Sequence, residues 1–439
     1  MSISGPGLIG KVPFDVTFSQ DFGLTPGPAE VKGTVTLSQR AVEEFGLGLP
    51  KSMVTGEATG QVAITLPKDA PGQLRLTSDL RGITLAIPEL GWRKGPGATG
   101  RLQAAVTLGS IPQVNDLQVS GAGLTAQGKV KLKADGGLDV ARFSNVSLGG
   151  WLDGAVDITG RGGNRAVGLA VTSGSIDIRK FPSSHSSSGS ADGSPITVKL
   201  DTLRVTDGIR LAGFAGDFTL KDGFNGAFTG RVNGKAPLRG TVVPSANGPA
   251  VRIQADDAGA VMKAAGMFSS AYGGALDMTL VPRAKSGDYD GQAKIQLLRV
   301  KYGSVMADLL SAISIIGLLD QLNGDGIVFN TAQAEFLMTP DAIDVQKGSA
   351  VGASMGVSLR GIYHSDTTAL DMTGVVSPIY LLNGIGSILT RKGEGLFGFA
   401  YKLKGTADKP DVQVNPLSIL TPGMFRDLFS APPPTLEGG

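Results

Sequence analysis

Cysteine is absent from the 439 residues, which excludes disulfide scaffolds, thiol nucleophiles and thiolate metal sites. The compartment stays open, since a large fold persists in an oxidising space without cross-links. Histidine is nearly absent as well. His185 and His364 lie far apart, with no His-x-x-His or His-x-x-x-His spacing to ligate zinc. His185 sits in "SSHSSS", which mimics a nucleophile beside a base, but a triad needs rigid positioning and an oriented third member. His364, in "GIYHSDTTA", is expected in a hairpin turn. Aromatic residues are only 6% of the chain, so aliphatic side chains supply most of any core. No apolar run approaches the ~18 residues of a membrane-spanning helix. "MSISGPGLIGKVPFD" is too polar and too glycine-rich for a signal peptide, so the chain as given reads as soluble or membrane-peripheral. Forty basic and 38 acidic residues are interspersed, leaving a net charge of +2 and no basic block of the kind that binds nucleic acid.

What the chain does have is glycine and alternation. Glycine is 65 of 439, well above the usual ~7%, without the three-residue period of collagen. "EVKGTVTLS" places Val31, Gly33, Val35 and Leu37 on one face, and "GQVAITLP" does so with Val62, Ile64 and Leu66. The pattern returns in "GRLQAAVTLG", in "PITVKLD" (Ile196, Val198, Leu200), in "GFAGDFTLKDG" (Phe214, Phe218, Leu220) and in "GALDMTLVP" (Leu276, Met278, Leu280). Period-two alternation predicts strands with one dry and one wet face. Asp-Gly at 135, 207, 222 and 325 and Asn-Gly at 233 and 247 supply the positive φ of tight hairpin turns. About 25 to 30 short, mostly antiparallel strands are expected at this spacing. No exact repeat marks a solenoid. "FPSSHSSSGSADGSP" (181–195) reads as a polar loop and residues 431–439 as a loose tail.

Two further patterns carry less than they suggest. Gly393-Glu-Gly395-Leu-Phe-Gly398 spells G-x-G-x-x-G, yet a dinucleotide fingerprint requires a strand before it and a helix after, the reverse of the order here. No carboxylate pair is singled out for hydrolytic work, turn chemistry being the default for Asp. Neither a catalytic residue nor a cofactor nor a metal is therefore expected.

Helical spacing is concentrated beyond residue 250. "ADDAGAVMKAAGMFSSAYGG" offers Asp256 or Asp257 as N-cap and Val261, Ala265 and Phe268 as a face. "GSVMADLLSAISIIGLLDQLNG" puts Val305, Leu309, Ile313 and Ile316 in register, with Asn323-Gly324 as the stop. Ser377-Pro378 reads as a cap with proline at the first helical position, followed by Ile379, Leu382, Ile385 and Leu389. Arg391 and Lys392 suit the helix C-terminus, and Gly393 suits a left-handed stop. Alternation then resumes with Phe397, Phe399, Tyr401 and Leu403. A last amphipathic turn follows in Met424–Phe429.

A sheet with one dry face must cover it: by closing into a barrel, by a second sheet, by packed helices or by a lipid ligand. Helices are too few in the first ~250 residues to cover so many strands. A long curled sheet would form an apolar trough, with glycines permitting the bends. At ~4.8 Å per strand, about 25 strands would give a groove roughly 120 Å long, and each methylene taken from water would be favoured by ~0.8 kcal/mol.

Four segments carry a family resemblance: "ADDAGAVMKAAGMFSSAYGGALDM", "LLSAISIIGLLDQLNGDGIVFNTAQAEF", "LDMTGVVSPIYLLNGIGSI" and "GEGLFGFAYKLKGTADKPDVQVNPLSILTPGMFRDLF". In order and spacing they resemble the AsmA-like C-terminal region of YhdP-type proteins, in the AsmA/TamB superfamily of bacterial envelope proteins. "LRGITLAIPELGWRKGPGATGRL" is similar, more loosely, to the β-rich portion that precedes that region. The resemblance implies a periplasmic, inner-membrane-anchored protein with a taco-shaped β-groove that carries phospholipid towards the outer membrane. Members normally begin with a transmembrane helix, which this chain lacks, so anchoring is not carried over. The resulting expectation is a mostly β fold. Residues 1–250 would form a groove portion, residues 251–430 an AsmA-like region with amphipathic helices, and residues 431–439 a tail. Val198, Leu200, Phe218, Leu220, Leu276, Met278, Leu280, Phe397, Phe399, Tyr401 and Leu403 would line the groove. Leu309, Ile313, Ile316, Ile379, Leu382, Ile385 and Leu389 would gate its end or dock it on a membrane, with Arg391 and Lys392 meeting anionic head groups. Phospholipid, a membrane surface and envelope proteins are the expected partners. An assembly factor for outer-membrane proteins is the alternative reading.

Overall fold

The computed structural model describes residues 1–22, 27–46, 53–87, 91–134, 136–162, 165–181, 193–221, 223–285, 287–301, 304–312, 316–378, 398–407 and 409–415. The fold is mostly β, 66% strand and 8% helix among the described residues. Among the described residues there are 27 strands and four α-helices. Two compact units divide the chain: Met1–Leu203 with Ala215–Gly223, and Arg204–Phe214 with Phe224–Gly439. Each is built on an open, strongly curled antiparallel sheet, half-barrel in section.

In unit 1 the strands are β1 (Ser2–Ile9), β2 (Val12–Ser19), β3 (Ala29–Ser38), β4 (Val54–Leu66), β5 (Gln73–Ser78), β6 (Ile83–Ile87) and β7 (Trp92–Lys94). They continue with β8 (Arg101–Thr107), β9 (Gln113–Gly121), β10 (Leu124–Leu132), β11 (Leu138–Leu148), β12 (Leu152–Thr159), β13 (Gly168–Asp177) and β14 (Ser194–Arg204). Neighbours in sequence pair in space with one excursion: β5 pairs with β8, while β6 and β7 leave the main sheet. β6 pairs instead with the first residues of β4, so the 13-residue β4 serves two sheets. The switch occurs at Gly56 (φ +82), beside Gly82 (φ +90). A Cβ on Gly56 would lie 2.6 Å from the Gly82 carbonyl oxygen, so this crossing needs glycine both for its backbone angle and for its closeness.

The β6–β7 hairpin is fastened by a buried lysine. Lys94 Nζ donates to the carbonyls of Leu80, Ile83 (3.0 Å) and Gly95 (3.2 Å). Desolvation holds its pKa below the usual lysine value, with Asp79 opposing the shift. The hairpin and the short helix α1 (Gln39–Glu44) cover one end of the dry face. Val42, Val54, Ala58, Leu80 and Ile83 form a buried cluster there. Trp92 and Trp151 extend the cover over Leu124, Val146, Leu148 and Leu152, with Trp92 Nε1 donating to the Ala122 carbonyl at 3.0 Å.

β15 (Arg210–Leu220) contributes to both units, and β16 (Phe224–Val232), β17 (Ala236–Ser245) and β18 (Gly248–Ala255) follow in unit 2. β18 runs across residue 250, with no break there. Helix α2 (Ala258–Ala264) and β19 (Ala271–Tyr272) precede β20 (Ala275–Pro282) and β21 (Tyr289–Val300). Then come α3 (Ser304–Ala312) and α4 (Ile316–Asn323). The meander closes with β22 (Ile327–Met338), β23 (Ala342–Gly352), β24 (Met355–His364), β25 (Ala369–Pro378), β26 (Phe399–Thr406) and β27 (Lys409–Asn415).

Several local expectations meet differences. Asp257 caps α2, accepting from Ala260 N at 2.8 Å, but the helix buries Ala258, Gly259 and Ala264. The expected face of Val261, Ala265 and Phe268 is only half-buried, because residues this small at the helix start bring it against β19. Helix is described over Ser304–Ala312 and Ile316–Asn323, ending at Asn323 as the Asn-Gly signal predicts. Ser377 and Pro378 end β25, paired with Gly356 and Met355, so this dipeptide closes a strand. His364 is the last residue of β24, one step before the turn. The serine-rich loop and the C-terminal tail lie outside the described residues.

Candidate apolar groove

The strand registers turn scattered alternation into continuous rows. Across β1 to β5, the partners Ile3, Phe18, Val31, Ile64 and Leu74 stand opposite one another in succession. The same row continues from Leu74 through Val106, Val114, Val130, Ala141, Ile158 and Leu169, across β8 to β13. Every position is apolar. Two residues along each strand, and three on the bulged β9, a second row runs from Val16 through Gly33, Val62, Leu76, Ala104 and Leu117 to Gly128, Phe143, Val156 and Val171. The opposite face of the same strands carries Lys32, Gln61, Arg75, Gln103, Lys129 and Arg142.

These rows are not sealed. In the first, only Ala141 is fully buried; Phe18, Val31, Ile64, Leu74, Val106, Val114, Val130, Ile158 and Leu169 are half-buried, and Ile3 is 55% exposed. A row folded into a sandwich core would read as buried throughout. Toward the other strand ends the same face is closed by α1, β6–β7 and the two tryptophans. Unit 1 thus has an apolar face graded from a closed ledge to an open strip, about 48 Å from β1 to β13 at ~4.8 Å per strand.

Glycine shapes the floor. Cross-strand neighbours repeatedly pair a glycine with an aromatic residue whose ring lies over it: Gly7 with Phe14, Gly128 with Phe143, Gly240 with Phe228, Gly291 with Phe336 and Gly374 with Tyr401. A Cβ on Gly240 would stand 2.3 Å from Phe228 Cζ, and one on Gly291 2.2 Å from Phe336 Cε2. The rings therefore occupy the space above the glycines, which lowers the relief of the face and lets the sheet curl without crowding. Phe228 also stacks on Phe214, ring centroids 5.3 Å apart.

In unit 2 the dry face is partly filled by the protein itself. Leu309 and Leu310 of α3 and Leu322 of α4 are buried in one cluster with Ile327, Phe329, Met355 and Val376. Phe399, Tyr401 and Leu403 belong to the same cluster, and Leu276 packs against it. α3 lies against α4 and β27. Burial pushes the Tyr401 phenol well above its ordinary pKa, and its hydroxyl donates to the Ser358 carbonyl at 2.9 Å.

Of the other residues expected to line a groove, Val198, Leu200 and Phe218 are buried and Leu220 is half-buried in unit 1. In unit 2 Leu280 is buried and Met278 half-buried, Met278 facing Ile253 and Ala293 across the ladder. Ile316 opens α4. Phe397, Ile313, Ile379, Leu382, Ile385, Leu389, Arg391, Lys392 and the Met424–Phe429 segment lie outside the described residues. The two open rows of unit 1 contain none of the residues expected to line a groove, although "GQLRLTS" (Leu74, Leu76) and "LTAQGKVKL" alternate as clearly as the strands that carry those residues. Their signal is the register, which places short alternations end to end.

Among the described residues no cluster of three or more His, Asp or Glu could hold a metal ion, and no helix is long and apolar enough to cross a membrane. Comparison with family models, with curated proteins and with solved structures gives no match.

Proposed function

We propose that this chain is a non-enzymatic lipid carrier whose curled sheet holds acyl chains on its apolar face. One observation carries the reading: the unit 1 rows through Leu74 and Leu76 are apolar on every strand they cross and, apart from Gly128 and Ala141, remain only partly buried. Such a strip in water costs free energy that a guest chain recovers, at ~0.8 kcal/mol for each methylene covered. Repetition of similar side chains at ~4.8 Å intervals offers near-equal contact at each step, so a bound chain slides with low barriers. Movement of this kind needs no covalent chemistry.

Joined to the sequence resemblance described above, the reading becomes phospholipid transfer between the inner and outer membranes of a bacterial envelope, in the periplasm. Photo-crosslinkers at Leu74 and Val106, with Arg75 on the opposite face as control, test it. Crosslinks to acyl chains from the first two positions alone are expected. Crosslinks to peptide would make the cargo an outer-membrane polypeptide and replace lipid carriage by an assembly role.

A further inference from the structure

We infer that the outer face of unit 1 carries a glycan-binding row, suited to an extended, uncharged, β-1,4-linked chain of N-acetylhexosamine units. The inference concerns the side of the sheet turned away from the apolar rows and does not depend on the carrier reading.

The strand registers build this row as they build the apolar ones. Thr34, Gln61, Thr77, Gln103, Gln118, Gln127 and Asn145 stand opposite one another in succession, on seven strands from β3 to β11. Every position bears an amide or a hydroxyl, and none bears a charge. Two residues along, Ser120, Thr125 and Ser147 form a parallel run of hydroxyls across β9, β10 and β11. At ~4.8 Å per strand step the row is roughly 29 Å long.

In stacked cross-β sheets, in-register amides form ladders that satisfy one another. Here they do not. Among the described residues, the side-chain amides of Gln61, Gln103 and Asn145 have no hydrogen-bond partner. Gln118 and Gln127 both donate from Nε2 to the Asp116 carboxylate, at 2.9 and 3.4 Å, which leaves their Oε1 atoms as acceptors. Gln61, Thr77, Gln127 and Asn145 are exposed, and Gln103 and Gln118 are half-buried. A free primary amide offers two donors and an acceptor in one plane. The row therefore presents unspent donors toward both ends and pinned acceptors between them, on a floor held by the strand ladder.

That chemistry selects the occupant. Protein interfaces are anchored by aromatic residues and arginine, and the row has neither. Nucleic acid and anionic membrane surfaces need clustered cations. The cations beside the row are interspersed with carboxylates, Arg142 lying 3.6 Å from Asp157. A neutral glycan answers an uncharged row of donors and acceptors. In an extended β-1,4-linked chain the sugars succeed one another at nearly the strand spacing of ~4.8 Å, so each unit meets a new strand. Acetamido groups bring one N–H and one carbonyl each, the complement of the glutamine and asparagine amides. Ring hydroxyls then fall to Ser120, Thr125 and Ser147.

Isothermal titration of the full chain with chitohexaose, chitobiose and cellohexaose tests the row. The wild-type chain is expected to bind chitohexaose, and chitobiose about tenfold more weakly, because two units reach too few of the hydrogen-bonding side chains. Gln61→Ala/Gln103→Ala removes two unpartnered amides and should weaken chitohexaose binding about tenfold. Asn145→Ala, exposed at the far end of the row, should weaken it in the same direction. Gln292→Ala, at an exposed glutamine of β21 in unit 2, should leave it unchanged. An unchanged unfolding midpoint shows that the variants are folded. No binding by the wild-type chain, equal affinity for chitobiose and chitohexaose, or full affinity in the folded variants would overturn the row. Cellohexaose, which has hydroxyls where chitohexaose has acetamido groups, should bind more weakly; equal affinity would overturn the assignment to N-acetylhexosamine.

Discussion

Leu74→Asp puts a carboxylate into the middle of the open row. Leu74 is half-buried, faces Ile64 on one side and Val106 on the other, and is covered by no helix among the described residues. The folding cost is moderate, about 1 kcal/mol, since only part of the ~2 kcal/mol available from full leucine burial is present to lose. The binding cost is larger. A side chain of this size underlies about two methylenes of a guest chain, so withdrawing the contact removes about 1.6 kcal/mol, roughly 15-fold in affinity. Arg75→Asp, one residue on and exposed on the other face, should leave affinity unchanged. Titration of the full chain with a dansyl-labelled fatty acid measures both variants, beside a thermal unfolding curve for each. If Leu74→Asp unfolds cooperatively yet binds within twofold of wild type, the row is not where the chain lies.

Other positions test the fold that holds the row. Gly291→Val forces the Phe336 ring from its place and should cost about 1–3 kcal/mol by overpacking, with Phe336→Ala in the same chain returning part of it; urea denaturation of the single and double variants reads the coupling. Tyr401→Phe loses one buried hydrogen bond, about 1 kcal/mol at neutral pH. Because the folded phenol titrates above the unfolded one, its contribution is complete below about pH 10 and declines as pH rises further. The Phe variant should lack that alkaline loss in a series of melting curves. Lys94→Met strands three carbonyl acceptors and should speed amide exchange in β6 and β7 before the rest of unit 1 responds; uniform protection would show that the hairpin is held by packing alone.

Much of the architecture was legible in the chain, because the strands pair with sequence neighbours and alternation is a local property. β3, β4, β14, β15 and β20 stand where period-two runs placed them, and Asn233-Gly234 turns between β16 and β17 with φ of +47 and +76. The excursion of β6 and β7 was not legible, since it depends on a contact between Gly56 and Gly82 that no periodicity announces. Burial was harder still. Phe399, Tyr401 and Leu403 alternate just as Leu74 and Leu76 do, yet the first set lies in a core with α3 and α4 and the second stays half-open. Alternation says that a face is apolar; only tertiary placement says what covers it.

The meander of β8 to β13 has a consequence for how such a molecule changes over generations. Each strand docks on the one just formed, so no distant segment is required to close the structure. Gain or loss of one complete hairpin preserves chain direction and leaves the greasy side greasy, whereas gain or loss of a single strand reverses everything downstream. Reach, in such a molecule, is a matter of counting hairpins.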